Sequence, residues 1–105
     1  MEFGALGQTL GCGQCFRWEE KPDGAWEGVA GGRFLRITEE NFPRLGEDPF
    51  WADYFDLGRD YGAIRAEFRR RDPALARAVR YAPDIRILNQ DPWEALCSFI
   101  LSQCN

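Results

Sequence analysis

The sequence predicts an α+β domain, an antiparallel sheet of three or more strands with helices packed on it. Three observations predict it. The first third of the chain alternates apolar and polar residues between turn-forming clusters. Three Asp-Pro pairs, each a helix-start signal, are confined to the remainder. Aromatic residues are abundant, with 4 Trp and 8 Phe in 105 residues, which is enough to fill a small dense core.

The elements follow in order. Cys15-Phe16-Arg17-Trp18-Glu19 alternates as a half-buried strand does. Pro22-Asp23-Gly24 then supplies a fixed φ, an Asx side chain and a glycine that tolerates positive φ, which together make a turn. A second strand is predicted over residues 25–30. Gly31-Gly32 forms a tight hairpin connection, and a third strand spans 33–38. Asp48-Pro49, Asp72-Pro73 and Asp91-Pro92 each place an Asp N-cap before a Pro at the first helical position, where the missing N–H costs nothing. They predict helices over 49–57, Pro73–Tyr81 and Pro92–Gln103. Glu94 stands three residues after Asp91, as in a capping box. A further helix spans 61–70, capped by Asp60, with Tyr61, Ile64 and Phe68 on one face. The last helix differs from these. Trp93, Leu96, Cys97, Phe99, Ile100 and Leu101 surround nearly its whole circumference. A helix apolar all round requires burial on all sides, and a domain this small struggles to provide it. The helix is expected to pack against structure outside this chain.

Apolar content of 45% with 29% charged residues is that of a globular domain. No apolar run reaches the roughly 20 residues that span a bilayer. The N-terminus has no basic stretch before an apolar one, so neither a membrane span nor a signal peptide is expected. Four Cys without a secretion signal point to thiols in a reducing, intracellular setting. A net charge of −4 argues against a generally basic nucleic-acid-binding surface.

Four constellations bear on chemistry. Cys12-Gly13-Gln14-Cys15 is a Cys-x-x-Cys pair, read either as half a zinc or redox site or as a turn holding two small residues. The chain has no His, and Cys97 and Cys104 lie seven apart, so a zinc site lacks its remaining ligands. A thioredoxin-type pair opens a helix, whereas this one precedes a strand. No metal or cofactor is expected. Arg65, Arg69, Arg70, Arg71, Arg77 and Arg80 form a cluster with two readings, phosphate contact or a solvated face paired with Glu67 and Asp72. The Trp and Phe residues could stack on bases, but their periodicity favours the core. Lys21 is the single lysine, in a turn beside Glu19, Glu20 and Asp23 that stabilises its charge, so it is a poor Schiff-base nucleophile. No good nucleophile is present.

Three ordered segments carry a resemblance. Thr9-Leu10-Gly11-Cys12-Gly13-Gln14-Cys15-Phe16-Arg17-Trp18, then Trp26-Glu27-Gly28-Val29, resembles the opening of 8-oxoguanine DNA glycosylases. Tyr54-Phe55-Asp56-Leu57, then Asp60-Tyr61, is similar to the start of that family's helical portion. Ile85-Arg86-Ile87-Leu88-Asn89-Gln90-Asp91-Pro92-Trp93-Glu94, then Ser98-Phe99-Ile100-Leu101-Ser102-Gln103-Cys104-Asn105, resembles the helix leading into its helix-hairpin-helix domain.

The resemblance implies a TATA-binding-protein-like N-terminal domain over residues 1–88. It implies that residues 89–105 are the first helix leading into the helix-hairpin-helix domain. It implies a parent base-excision repair glycosylase with AP lyase activity, whose catalytic Lys and Asp lie downstream, so that this chain by itself carries no chemistry. The implied partners are duplex DNA containing 8-oxoguanine and the C-terminal helix-hairpin-helix domain. The implied state is a monomer, in the cytoplasm or nucleoid if bacterial. The implied binding residues are Gly13, Gln14, Phe16, Cys104 and Asn105. Gly13 offers its backbone carbonyl to the N7–H of the lesion, and Gln14, Cys15 and Phe16 hold the turn and line the pocket. An Asn-Asn run usual in the family fills the gap left by the extruded base. Here its first position is Cys104, and a thiol is a poor substitute for an amide. A second departure is the short stretch 39–50, which implies a shortened sheet or a missing last strand. A stand-alone lesion-binding module without catalysis and a Cys-x-x-Cys metal or redox protein are the alternatives.

Overall fold

Turn chemistry sets the sheet. In the computed structural model, which describes residues 4–103, strands β1 (Trp18–Glu20), β2 (Trp26–Ala30) and β3 (Arg33–Ile37) pair antiparallel in the order β1-β2-β3. Gly31 and Gly32 adopt φ of 58° and 73°, the two positive values that a two-residue type I′ hairpin requires. The register places Trp18 opposite Gly28 and Val29 opposite Phe34. Gly28 is there for space. A Cβ at this position would enter the Trp18 ring and stand 2.8 Å from the Arg17 carbonyl oxygen.

Helices surround the sheet. They are α1 (Ala5–Leu10), α2 (Pro49–Tyr54), α3 (Tyr61–Arg71), α4 (Pro73–Tyr81) and α5 (Pro92–Gln103), with a 3-10 helix at Phe42–Glu47. The Asp caps act as predicted: Asp48, Asp60, Asp72 and Asp91 accept from the backbone N–H groups of Phe50, Ala63, Ala74 and Glu94. The core gathers Leu6 and Leu10 of α1, Trp26, Ala30 and Ile37 of the sheet, Phe42 and Leu45, Trp51 and Tyr54 of α2, with Phe55 and Leu88. Trp18 meets Trp51 and Phe55 edge-on at 5.9 and 5.8 Å, and its indole N–H donates to the Tyr54 hydroxyl at 2.9 Å. Burial pushes that hydroxyl up to about 12.

Five features differ from the sequence reading. β1 begins at Trp18 because residues 14 and 15 are bonded to α1 and to residues 86–90 rather than to β2. α2 ends at Tyr54 because Asp56 takes a left-handed φ of 55°. The amides of Asp56 and Leu57 turn back to the carbonyls of Asp53 and Ala52, a Schellman closure with Asp in the place usual for Gly. α1 carries no local cap signal, since its cap is the Glu39 carboxylate, which accepts from Leu6 and Gly7. The stretch 39–50 holds an unforeseen 3-10 helix, which buries Phe42 and Leu45, while the described sheet has three strands, the fewest the sequence reading allowed. Glu94 completes only half of a capping box. Its carboxylate accepts from Gly31 N–H at 3.2 Å and pairs with Arg17 at 2.6 Å, tying the start of α5 to the sheet.

α3 and α4 pack mainly on each other. α3 buries no residue and α4 buries only Val79. α5 buries none, leaving Trp93 71% and Leu101 67% exposed, as its all-round apolar character predicted. The aromatic residues are therefore only partly a core: Phe16, Phe34, Phe68 and Phe99 are exposed too. Among the described residues no helix is long and apolar enough to cross a membrane.

Candidate functional site

The connection from α1 to β1 carries the candidate site. Gly13 adopts φ of 94°, a conformation L side chains rarely hold, and is exposed. A Cβ built there would find nothing within 4 Å, so glycine is required by the backbone angle and the face beside it is open. Among the described residues no donor reaches the Gly13 carbonyl.

The residue after it is tied through its side chain and its carbonyl. The Gln14 side chain donates from Nε2 to the carbonyls of Thr9 at 2.9 Å and Arg86 at 2.7 Å, and its Oε1 accepts from Leu88 N–H at 3.0 Å. Its backbone carbonyl accepts from Gln90 Nε2 at 2.6 Å. Thr9 and Gln8 extend the same seam. The Thr9 hydroxyl accepts from Arg86 N–H, and Gln8 Oε1 accepts from Asp84 N–H. Residues 84–90 form no strand, and side chains satisfy backbone groups that a sheet partner would otherwise pair. Gln90, Thr9 and Gln8 were not among the sequence candidates. The available signal was a glutamine in an apolar setting, which must find partners when buried.

Cys12 and Cys15 face the same turn, their thiols near the carbonyls of Thr9 and Leu10. Burial, then the neighbouring Cys12, pushes the Cys15 thiol up to about 12. The thiolate is the form that attacks or binds metal, so Cys15 is poorly suited to either role at neutral pH. The described cysteines, Cys12, Cys15 and Cys97, are free.

Phe16 turns away from the sheet and meets Phe99 of α5, ring centroids 6.0 Å apart, while remaining 43% exposed. With Arg17, Trp93, Cys97 and Leu101 it lines an open, largely apolar cleft along α5. Gly13 and Gln14 are thus adjacent on the turn, and Phe16 lies on its α5 side. Cys104 and Asn105 lie outside the described residues. In the arginine cluster, Arg70 and Arg71 pair with Glu67, and Asp72 is occupied as the α4 cap. Arg65, Arg69, Arg77 and Arg80 make no ion pair among the described residues.

Comparison with known proteins places the chain. The family model for the 8-oxoguanine DNA glycosylase N-terminal domain matches residues 4–96. The Clostridium acetobutylicum 8-oxoguanine glycosylase/lyase in its apo-form is 40% identical, with a TM-score of 0.74, over 95% of this chain and 37% of its own. The same enzyme with dsDNA containing cytosine opposite 8-oxoG gives the same values. MBOgg1, solved with a low affinity DNA ligand, is 42% identical, with a TM-score of 0.76, over 99% of this chain and 39% of its own. The chain therefore spans well under half the length of these solved relatives.

Proposed function

This chain belongs to the 8-oxoguanine DNA glycosylase N-terminal domain family, and on that premise we propose that it forms the recognition wall of a base-excision repair glycosylase with AP lyase activity. The enzyme removes 8-oxoguanine from duplex DNA. One observation carries the reading of the wall: on a left-handed turn the exposed Gly13 has a carbonyl with no partner among the described residues, beside a Gln14 whose side chain is hydrogen-bonded at both nitrogen and oxygen. 8-Oxoguanine has an N7–H that can donate to such a carbonyl. Guanine has only an acceptor lone pair at N7, so the same carbonyl repels it. A site built on one hydrogen bond rejects the analogue that cannot make it.

The remaining roles follow from the same premise. Residues 1–88 form the N-terminal domain, and residues 89–105 begin the helix-hairpin-helix region, whose core covers the bare face of α5. Phe16 borders the lesion pocket on the α5 side. Cys104 and Asn105 fall where the family's Asn-Asn run meets the orphaned cytosine, and the thiol weakens that contact. The lysine that attacks the sugar and the aspartate that assists it lie beyond this chain, which by itself is inactive. The enzyme works as a monomer inside the cell. The relative solved with dsDNA containing cytosine opposite 8-oxoG supports damaged duplex as the partner.

Borohydride trapping tests the division of labour. The intact protein should trap a covalent Schiff-base adduct with duplex carrying 8-oxoguanine, and residues 1–105 should trap none. An adduct on the 105-residue chain would overturn the assignment.

A further inference from the structure

We propose that Gln14 and Gln90 act together as a clamp that anchors the chain immediately after the Gly13 carbonyl, making them positioning residues for lesion discrimination rather than contacts to the base. The proposal rests on the reading of Gly13 given above. Gly13 cannot hold its own carbonyl in place. Its φ of 94° lies in a region glycine enters and leaves freely, and no atom packs within 4 Å of the position a side chain would take. The direction of its carbonyl is set by the next fixed point along the chain, and that point is Gln14.

Four hydrogen bonds from two segments, α1 and residues 86–90, converge there. Nε2 of Gln14 uses both of its hydrogens, on Thr9 O and Arg86 O, and Oε1 takes the Leu88 N–H. A glutamine amide has two donors and one acceptor oxygen, so this side chain has no N–H left to offer a base. Gln90 closes the clamp from the other side, with Nε2 2.6 Å from the Gln14 carbonyl oxygen. It stands one residue before Asp91, the cap of α5, and on the other side of Asn89, whose side chain and N–H are bonded to the carbonyls of Asp53 and Tyr54 at the end of α2. The turn is thus referenced to both α2 and α5. Hydrogen bonds weaken steeply as their angle closes, so a swinging carbonyl loses the lesion's N7–H bond while guanine, which never makes it, loses nothing. The clamp therefore bears on selectivity more than on total DNA affinity.

The test compares duplex containing 8-oxoguanine opposite cytosine with the same duplex containing guanine, bound to the intact protein. Gln90→Met keeps the length of the side chain and removes the donor. The preference for the lesion should fall by roughly five- to tenfold, the scale of one hydrogen bond with modest strengthening, while affinity for the guanine duplex stays within about twofold. Gln90→Glu gives a second reading within one folded protein. The ionised carboxylate cannot donate to the Gln14 carbonyl, but its protonated form can. The lost preference should return as pH is lowered towards about 5, where a carboxyl held against a carbonyl begins to protonate. Wild-type protein over the same range corrects for Asp53, Asp91 and Glu94, the carboxylates lining the adjoining clefts, and for Arg17 beside them. A wild-type preference unchanged in both variants would bring down the clamp and leave the reading of Gly13 standing. No lesion preference in the wild-type protein would bring down that reading, and the proposal with it. A fall in affinity for both duplexes alike would also overturn the proposal, by showing a general structural role.

Discussion

Replacing Gln14 by Leu should cost this domain far more than an ordinary half-buried polar substitution. The side chain makes three hydrogen bonds, to Thr9 O, Arg86 O and Leu88 N, bridging segments more than seventy residues apart in the last two cases. Each such bond contributes about 1 kcal/mol net, and a stranded buried partner costs about 1–3 kcal/mol. Leu88 is itself buried, so its N–H has little water to turn to, whereas Thr9 O retains the Cys12 thiol nearby. The sum lies at about 2–4 kcal/mol, a large share of the roughly 5–15 kcal/mol that holds a typical domain folded. Equilibrium urea unfolding of the 105-residue chain, followed by tryptophan fluorescence, measures it directly. Gln103→Leu, at an exposed position on α5, is the control and should shift stability by no more than about 0.5 kcal/mol. A Gln14→Leu loss no larger than the control's would mean that the seam between α1 and residues 84–90 is solvated, and the account of the turn would fail.

Three other outcomes are expected. Gly28→Ala forces a methyl into the Trp18 ring and should destabilise the chain by about 1–3 kcal/mol, with loss of near-UV tryptophan ellipticity; an unchanged melting temperature would show that Trp18 does not lie against β2. The Tyr61 hydroxyl, with Arg59 assisting, holds the Asp56 carboxyl below its ordinary value of 3.8. A lowered folded value means that the group stabilises the fold above its unfolded pKa, and that this is lost as pH falls through the folded one; Asp56→Asn should therefore flatten the fall in stability on acidification below about pH 4, and an unaltered acid profile would count against the network. Charged substitutions at Leu96, Ile100 and Leu101 should reduce binding of a hydrophobic dye to the isolated chain without lowering its melting temperature, because α5 buries none of its residues here. A drop in melting temperature would place that face inside this domain's own core.

What the sequence made legible was local. Pro22-Asp23-Gly24, Gly31-Gly32 and the Asp-Pro caps are decided by neighbours in the chain, and the structure has them where expected. What it concealed was distant. The cap of α1 is Glu39, 33 residues away, and nothing near Ala5 announces it. The end of α2 was hidden by an Asp in the left-handed position usual for Gly. Glu94 stands at capping-box spacing, yet the nearby Gly31 N–H and Arg17 guanidinium capture its carboxylate. The site divides the same way. Glycine at position 13 is legible as a turn residue, and the spacing around the Cys pair already argued against a metal site. The resemblance implied that Gln14 holds the turn, but what it ties the turn to was not legible, since two of its side-chain partners are 72 and 74 residues downstream.

The most direct test of the central claim changes one atom of the ligand. In the intact protein, binding of duplex carrying 8-oxoguanine is compared with binding of an otherwise identical duplex whose lesion has C–H in place of N–H at position 7. If the Gly13 carbonyl reads that hydrogen, the analogue should bind at least about tenfold more weakly, because the carbonyl is left facing a group that cannot donate. Equal binding of the two would contradict the claim that this turn reads the lesion.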